Sequence, residues 1–144
     1  MIWLLRHGDA EDSSPDAQRR LTEEGKRQGR VAGTALATLG VRLDACLTSP
    51  RVRAAETARL ACRPLGVEPR TDERLSGGAF DPEELVAGRG EDVLLVGHEP
   101  DFSDAVQRLT GGRVKLRKGG LAAVEQGELQ LLVGPAHLEA VAHG

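Results

Sequence analysis

The sequence predicts an α/β protein: a three-layer α/β/α sandwich whose mostly parallel central sheet carries an antiparallel edge strand and has helices on both faces. Three observations lead there. Ile2–Leu5 and Asp92–Val96 are short, nearly unbroken apolar runs, the pattern of strands buried on both faces. Along residues 2–110 such runs alternate with segments whose apolar residues recur at helical spacing, in the order β-α-β-α-β-(α)-β-α, which implies parallel strands with helical crossovers. The last two strands, Leu121–Glu125 and Glu128–Val133, are joined by Gln126-Gly127 and read as a hairpin at one edge.

Ile2–Leu5 is the first, central strand, and the polar stretch from Gly8 to Arg20, with Ser13-Ser14-Pro15-Asp16 inside it, is a loop. Thr22 before Glu23 and Glu24 supplies an N-cap and an acidic first turn; Val31, Ala32, Ala35, Leu36 and Leu39 then form a helical face that stops at Gly40. Leu43–Leu47 is the second strand. Thr48-Ser49-Pro50 opens a second helix with an apolar face of Val52, Ala55, Ala58 and Leu60/Ala61, ending at Arg63-Pro64. Val67–Arg70 is a third short strand, and the glycine-rich stretch from Leu75 to Gly90 holds one short helix at Pro82–Val86. Asp92–Val96 is the fourth strand, Gly97–Pro100 a turn, and Asp101–Leu109 a helix closed by Thr110-Gly111-Gly112.

Composition narrows the function. The 144 residues fit one domain, expected to span 1–144, and 40% hydrophobic content is enough for one core. A net charge of −3 argues against constitutive binding to nucleic acid or to an anionic membrane. Aromatics are limited to Trp3, Phe80 and Phe102, too few for a base-stacking platform, and with no tyrosine in the chain there is no tyrosine chemistry. Cys46 and Cys62 stand sixteen apart, outside any zinc or redox spacing, and read as small core residues. The N-terminal apolar run ends at Arg6, too short for a signal peptide, and no stretch approaches the roughly 20 residues of a membrane span, so a cytoplasmic protein is expected. No cofactor and no metal site is expected.

Ligands of such sheets bind beyond the carboxyl ends of the strands. Three strand ends carry chemistry: Arg6-His7-Gly8, Ser49-Pro50-Arg51-Val52-Arg53 and Gly97-His98-Glu99. Each alone is weak, since a lone histidine at a strand end is more often a packing residue. Together they place two histidines and at least two arginines at one sheet edge. Arg51 and Arg53 at a helix start oppose the helix dipole unless an anion lies between. The combination suits phosphoryl transfer: a neutral imidazole attacks phosphorus while guanidinium groups hold the equatorial oxygens.

Arg6-His7-Gly8 after an apolar strand, Ser49-Pro50-x-x-Arg53-Ala54-x-Glu56-Thr57-Ala58, and Val96-Gly97-His98 resemble the histidine phosphatase (phosphoglycerate-mutase-like) superfamily. The short length, Asp9-Ala10 after the first motif and Arg20-Leu21-Thr22-x-x-Gly25 are similar to its SixA-type phosphohistidine phosphatases. The resemblance implies that His7 is the phosphorylated nucleophile, that Arg6 and Arg53 clamp the phosphoryl oxygens, and that His98 completes the pocket. It further implies substrate contacts at Gly8 and Arg20, with Arg51 at the rim. The substrate would be a phosphorylated protein bearing phosphohistidine, or alternatively a small phosphate ester such as a sugar or nucleotide phosphate. No pattern picks out a general acid; Asp9, Glu73 and Asp81 are candidates beside Asp72, Glu83 and Glu84, each more ordinarily a solvated charge. A phosphohistidine substrate lessens that need, because its leaving imidazole is basic enough to be protonated near pH 7.

Rival chemistries are weaker. A cysteine phosphatase needs Cys-x5-Arg, yet after Cys46 position 52 is Val and the arginines fall at 51 and 53. Gly25-Lys26 lacks the earlier glycine and the following Ser/Thr of a phosphate-binding P-loop. A metal-dependent phosphoesterase could draw on His7, Asp9, His98 and Glu99, although Arg6 and Arg53 would repel the ion. A non-catalytic phosphate- or phosphoprotein-binding module is the non-enzymatic alternative. Arg113, Lys115, Arg117 and Lys118 form a basic cluster that reads as a solvated loop, with docking of an acidic partner as its functional alternative.

Overall fold

The computed structural model describes residues 1–144. Six strands, β1 (Ile2–Arg6), β2 (Ala45–Thr48), β3 (Pro69–Thr71), β4 (Val93–Gly97), β5 (Leu121–Glu125) and β6 (Glu128–Val133), form one sheet in the order β3-β2-β4-β1-β5-β6. The pairs β3–β2, β2–β4 and β4–β1 are parallel, whereas β5 runs against both β1 and β6. The expected hairpin is therefore present, and within it β5 is the reversed strand, one place in from the edge that β6 forms. Five helices accompany the sheet: α1 (Glu23–Thr38), α2 (Val52–Cys62), α3 (Pro82–Val86), α4 (Asp101–Thr110) and α5 (Pro135–His143).

Side-chain alternation along each strand divides the core into two. Trp3, Leu5, Cys46, Val96 and Leu121 face α1, α2 and α5 through Ala32, Leu36, Ala58 and Leu138. Leu4, Leu47, Leu95 and Ala122 face α3 and α4 through Leu85, Phe102 and Val106. Burial on both sides is why β1 and β4 are apolar at consecutive positions. Cys46 and Cys62 are buried and unbridged. No helix is long and apolar enough to cross a membrane.

Thr22 caps α1 as expected, its side-chain oxygen accepting from Gly25 N–H, and Gly40 takes the left-handed conformation (φ 76°) just after the last turn. Leu39, expected on the buried face, is the C-cap just beyond the last helical residue and is 52% exposed. In α2 Ala58, Leu60 and Ala61 are buried as expected, joined by Arg53, Ala54, Thr57 and Cys62, whereas Val52 and Ala55 of the expected face are only half-buried. α1 crosses this helix closely. A Cβ on Gly33 would lie 2.3 Å from the Ala61 carbonyl oxygen, so the backbones approach closely and only small residues fit between them. α5 was not expected from the sequence, since its alanine-rich run has little polar contrast, although Pro135 at its first position is a start signal.

Alanine is ordinarily better than glycine in a helix by roughly 0.5–1 kcal/mol. At Gly33 the sign should reverse: Gly33→Ala should destabilise the fold by about 1–3 kcal/mol by overpacking the α1–α2 crossing, which denaturant unfolding would measure.

Candidate active site

The β1–β4 register sets Arg6 opposite Gly97, and β2–β4 sets Thr48 opposite Val96. His7 and His98 thus leave their strands at one level, and Ser49 leaves the adjacent strand one residue earlier. All three are buried. The rings of His7 and His98 lie 5.2 Å apart between centroids, tilted by 57°.

His7 is held through the backbone. Its N–H donates to the Gly97 carbonyl at 3.0 Å and its carbonyl accepts from Gly119 N–H at 3.1 Å. Nδ1 lies 2.7 Å from the Gly8 carbonyl oxygen, which can only accept; Nδ1 therefore carries the proton and Nε2 the lone pair. Gly8 N–H donates to Thr57 Oγ1 at 3.1 Å, and Thr57 in turn donates to the Arg53 carbonyl at 2.7 Å. With its N–H on Thr57 and its carbonyl on Nδ1, Gly8 orients His7. A side chain cannot replace it, because a Cβ there would meet the Gly25 carbonyl oxygen at 2.5 Å.

Arg53 is buried in the first turn of α2, with Nη1 donating to the Asp16 carbonyl (2.9 Å) and Nη2 to Asp16 Oδ2 (3.2 Å). Arg51 also pairs with that carboxylate, and Arg19 bonds its other oxygen at 3.3 Å. Asp16 is the negative charge that lets three arginines gather. Arg6 donates from Nη1 to the Leu116 carbonyl at 3.0 Å. Ser49 Oγ accepts from Arg51 N–H at 3.2 Å and shares a 2.8 Å hydrogen bond with His98 Nε2, whose direction follows the tautomer of that ring. Arg6 Nε, Arg53 Nε and His98 Nδ1 are three of the four buried side-chain polar atoms in the chain without a partner. Leaving a buried donor unmet costs about 1–3 kcal/mol; the two Arg Nε–H groups are donors in any protonation state, and together with an imidazole nitrogen at one site they suit an oxyanion.

The imidazoles are held neutral. Burial, with Arg53, Arg6 and Lys118 adding to it and the Gly8 bond opposing, lowers the His7 pKa to about 4. Burial, then His7, Arg53 and Arg51, lowers that of His98 to about 3. A dianionic phosphoryl group arriving among these cations would raise both.

A cleft of about 520 Å³ opens over this centre, with Ala10 and Pro100 the apolar side chains in an otherwise polar wall. Arg6, His7, Arg53 and His98, the four residues expected to carry the chemistry, all line it, as do Arg51, Arg19 and Lys118. Arg20 does not: it is exposed and lines a separate depression with Gln18, Val52 and Glu56. Arg19 to Leu21 is extended, so side chains alternate; Leu21 turns into the core, Arg19 lies on the cleft side and Arg20 points away. None of the expected acids lines the cleft either. Asp9 accepts from Thr22 Oγ1 and Lys118 Nζ, and these bonds hold its carboxyl below the usual range, the opposite of what an acid needs. Asp81 caps α3 and pairs with Arg108, while Glu73 is exposed in a 3-10 turn. The cleft carboxylates are Glu99 and Asp101. Glu99 is fully engaged by Ser103 and Leu116 N–H. Asp101 accepts one bond, from Gly78 N–H at 3.2 Å, and burial, with Asp104 and Glu99 adding to it, pushes its carboxyl above the usual range. Its position three residues beyond His98, at the start of α4, was the available sequence signal. His7, Asp9, His98 and Glu99 do not gather as a metal site, and no group of three or more potential ligands does so elsewhere.

Between about pH 6.5 and pH 4 the unfolded chain takes up protons on His7 and His98 that the folded chain excludes, so stability should fall as pH falls through that window. The depressed carboxyl groups act only below it. Thermal melts should show Tm dropping from pH 7 to pH 4, and His98→Gln should flatten the drop; an unchanged slope would contradict the assignment.

The family model described as the histidine phosphatase superfamily (branch 1) matches residues 2–84. An uncharacterized protein of Picosynechococcus sp. is 31% identical over 144 aligned positions that cover 90% of this chain and 87% of that protein. The mitochondrial serine/threonine-protein phosphatase Pgam5 of Drosophila ananassae is 43% identical over 58 residues, 40% of this chain and 20% of that much longer protein. Among solved structures, the protein histidine phosphatase SixA complexed with tungstate superposes with a TM-score of 0.82 at 21% identity, covering 95% of this chain and 98% of that one. The alpha-ribazole phosphatase of Shigella flexneri gives 0.72 at 19%, covering 93% and 96%. Those two likenesses establish the shared fold. With the family match spanning more than half its length, the chain belongs to the histidine phosphatase superfamily, branch 1, and is a phosphatase by class.

Proposed function

We propose that this phosphatase is of the SixA type and removes phosphate from phosphohistidine on a protein, through a phosphoryl group held transiently on His7. The observation that carries the reading is the tautomer and charge of His7: Nδ1–H is tied to the Gly8 carbonyl and the ring is neutral, so Nε2 keeps a lone pair beside Arg6 and Arg53. Nε2 attacks phosphorus in line as the P–N bond of the substrate breaks, and the departing imidazole nitrogen takes a proton from water. Arg6 and Arg53 hold the equatorial oxygens, and His98 donates from Nδ1. Water then attacks phosphorus from the vacated side, the P–Nε2 bond breaks, and phosphate leaves. The SixA neighbour was obtained as a complex with tungstate, an oxyanion, which supports oxyanion binding by a protein of this fold. The short segment between β3 and β4, with only α3 and one 3-10 turn, supports access for a macromolecule.

A small phosphate ester is the second reading, and Asp101 favours it. An alkoxide is too basic to leave unprotonated, and a cleft carboxylate with a raised pKa is suited to supply the proton. Asp101→Asn should lower turnover of alkyl phosphates by about tenfold or more and leave phosphohistidine turnover little changed; equal losses on both would remove Asp101 from this role.

Phosphate release from a phosphohistidine-bearing protein, measured in excess EDTA, tests the primary reading. Wild type should release phosphate and His7→Ala should not, while keeping its melting profile. Arg53→Ala should lose about 10²–10³ in kcat, as when one preorganised transition-state donor is removed; a loss under tenfold would mean another arginine is the clamp. No release by wild type, with small esters turned over, would give the second reading precedence.

A further inference from the structure

Residues 113–118 connect α4 to β5 without regular structure, and their side chains alternate. Val114 and Leu116 turn inward, while Arg113, Lys115 and Arg117 are exposed. Leu116 fastens this segment to the catalytic centre: its carbonyl accepts from Arg6 Nη1 at 3.0 Å, and its N–H donates to Glu99 Oε2, beside His98, at 3.2 Å. A groove of about 660 Å³ runs along it, walled by Lys115, Arg117, Lys118 and Arg6 together with Gln28 and Pro135. Arg6 and Lys118 also line the catalytic cleft, so the two depressions share walls. Four cations and no carboxylate line the groove in a chain whose net charge is −3. Of the four, Lys118 alone meets a carboxylate, Asp9 at 3.1 Å.

We propose that this basic groove docks the acidic surface flanking phosphohistidine on a protein substrate. The inference rests on the phosphohistidine reading and extends it to the kind of partner. Like charges gathered at the mouth of an active site raise the local concentration of an acidic partner over about a Debye length, some 8–10 Å, and so act on encounter and KM. A nucleic acid is poorly served, for an aromatic content of 2% leaves no stacking surface. Lys115 and Arg117 are exposed on flexible stems, which fits a polypeptide face better than one small anion.

The test uses two synthetic phosphohistidine peptides, one flanked by glutamates on both sides and the other by glutamines. Wild type should show a KM about tenfold lower for the acidic peptide, with the preference fading as salt is raised. The double variant Lys115→Glu/Arg117→Glu should lose that preference and keep wild-type kcat on the glutamine peptide. Equal KM values in wild type, or a preference the variant retains, would overturn the docking assignment and leave the phosphohistidine reading standing. Hydrolysis of neither peptide would overturn both.

Discussion

In the parallel pairing of β1 with β4, Arg6 lies opposite Gly97, so the next residue of each strand is a histidine that leaves the sheet at the same level. A slip of one residue would turn every side chain of β1 to the other face and break the alternation of Trp3 and Leu5 against Leu4 that fills both halves of the core. The same apolar packing that stabilises the sheet therefore fixes the separation of His7 and His98. β2, parallel on the far side of β4, brings Ser49 to His98 and starts α2 where Arg53 can reach the same point.

Burial and positive charge act in one direction on the imidazoles and in opposite directions on the substrate. Removing His7 from water and surrounding it with guanidinium groups makes its protonated form unfavourable and preserves the lone pair. The same cations are what a phosphoryl dianion requires. Gathering them costs free energy in the ligand-free fold, and Asp16 offsets part of that cost by accepting from Arg19, Arg51 and Arg53. The centre is accordingly prepared for charge that arrives with the substrate, which is the form of electrostatic preorganisation that acts on a transition state.

Much of this was legible in the sequence because it is local. Arg6, His7 and His98 stand at the ends of apolar runs, Arg53 follows a proline-marked helix start, and the strand-end rule sends all four to one edge. What was not legible depends on pairing between distant segments. Arg20 and Arg19 look alike in the sequence; only the extended backbone leading into Leu21 decides which faces the cleft. Asp16 sits in a polar loop and acquires its role from α2. Asp9 stood nearest the nucleophile, yet Thr22 and Lys118 hold it out of the cleft, while Asp101 enters from the helix after β4. The close approach of α1 to α2 at Gly33 and Ala61 is a contact between helices, which hydrophobic spacing within one helix does not contain.

The most direct test of the account is to find the phosphoryl group on the enzyme. Wild-type protein would be mixed with a phosphohistidine peptide, quenched in alkali at successive times on the millisecond scale, digested and mapped by mass spectrometry, with Nε2- and Nδ1-linked phosphohistidine distinguished by NMR. The account predicts a transient phosphoryl group on His7 Nε2 that forms before phosphate release and decays with it. Phosphate released with no phosphorylated His7 at any time, or with the group on Nδ1 or on another residue, would contradict it.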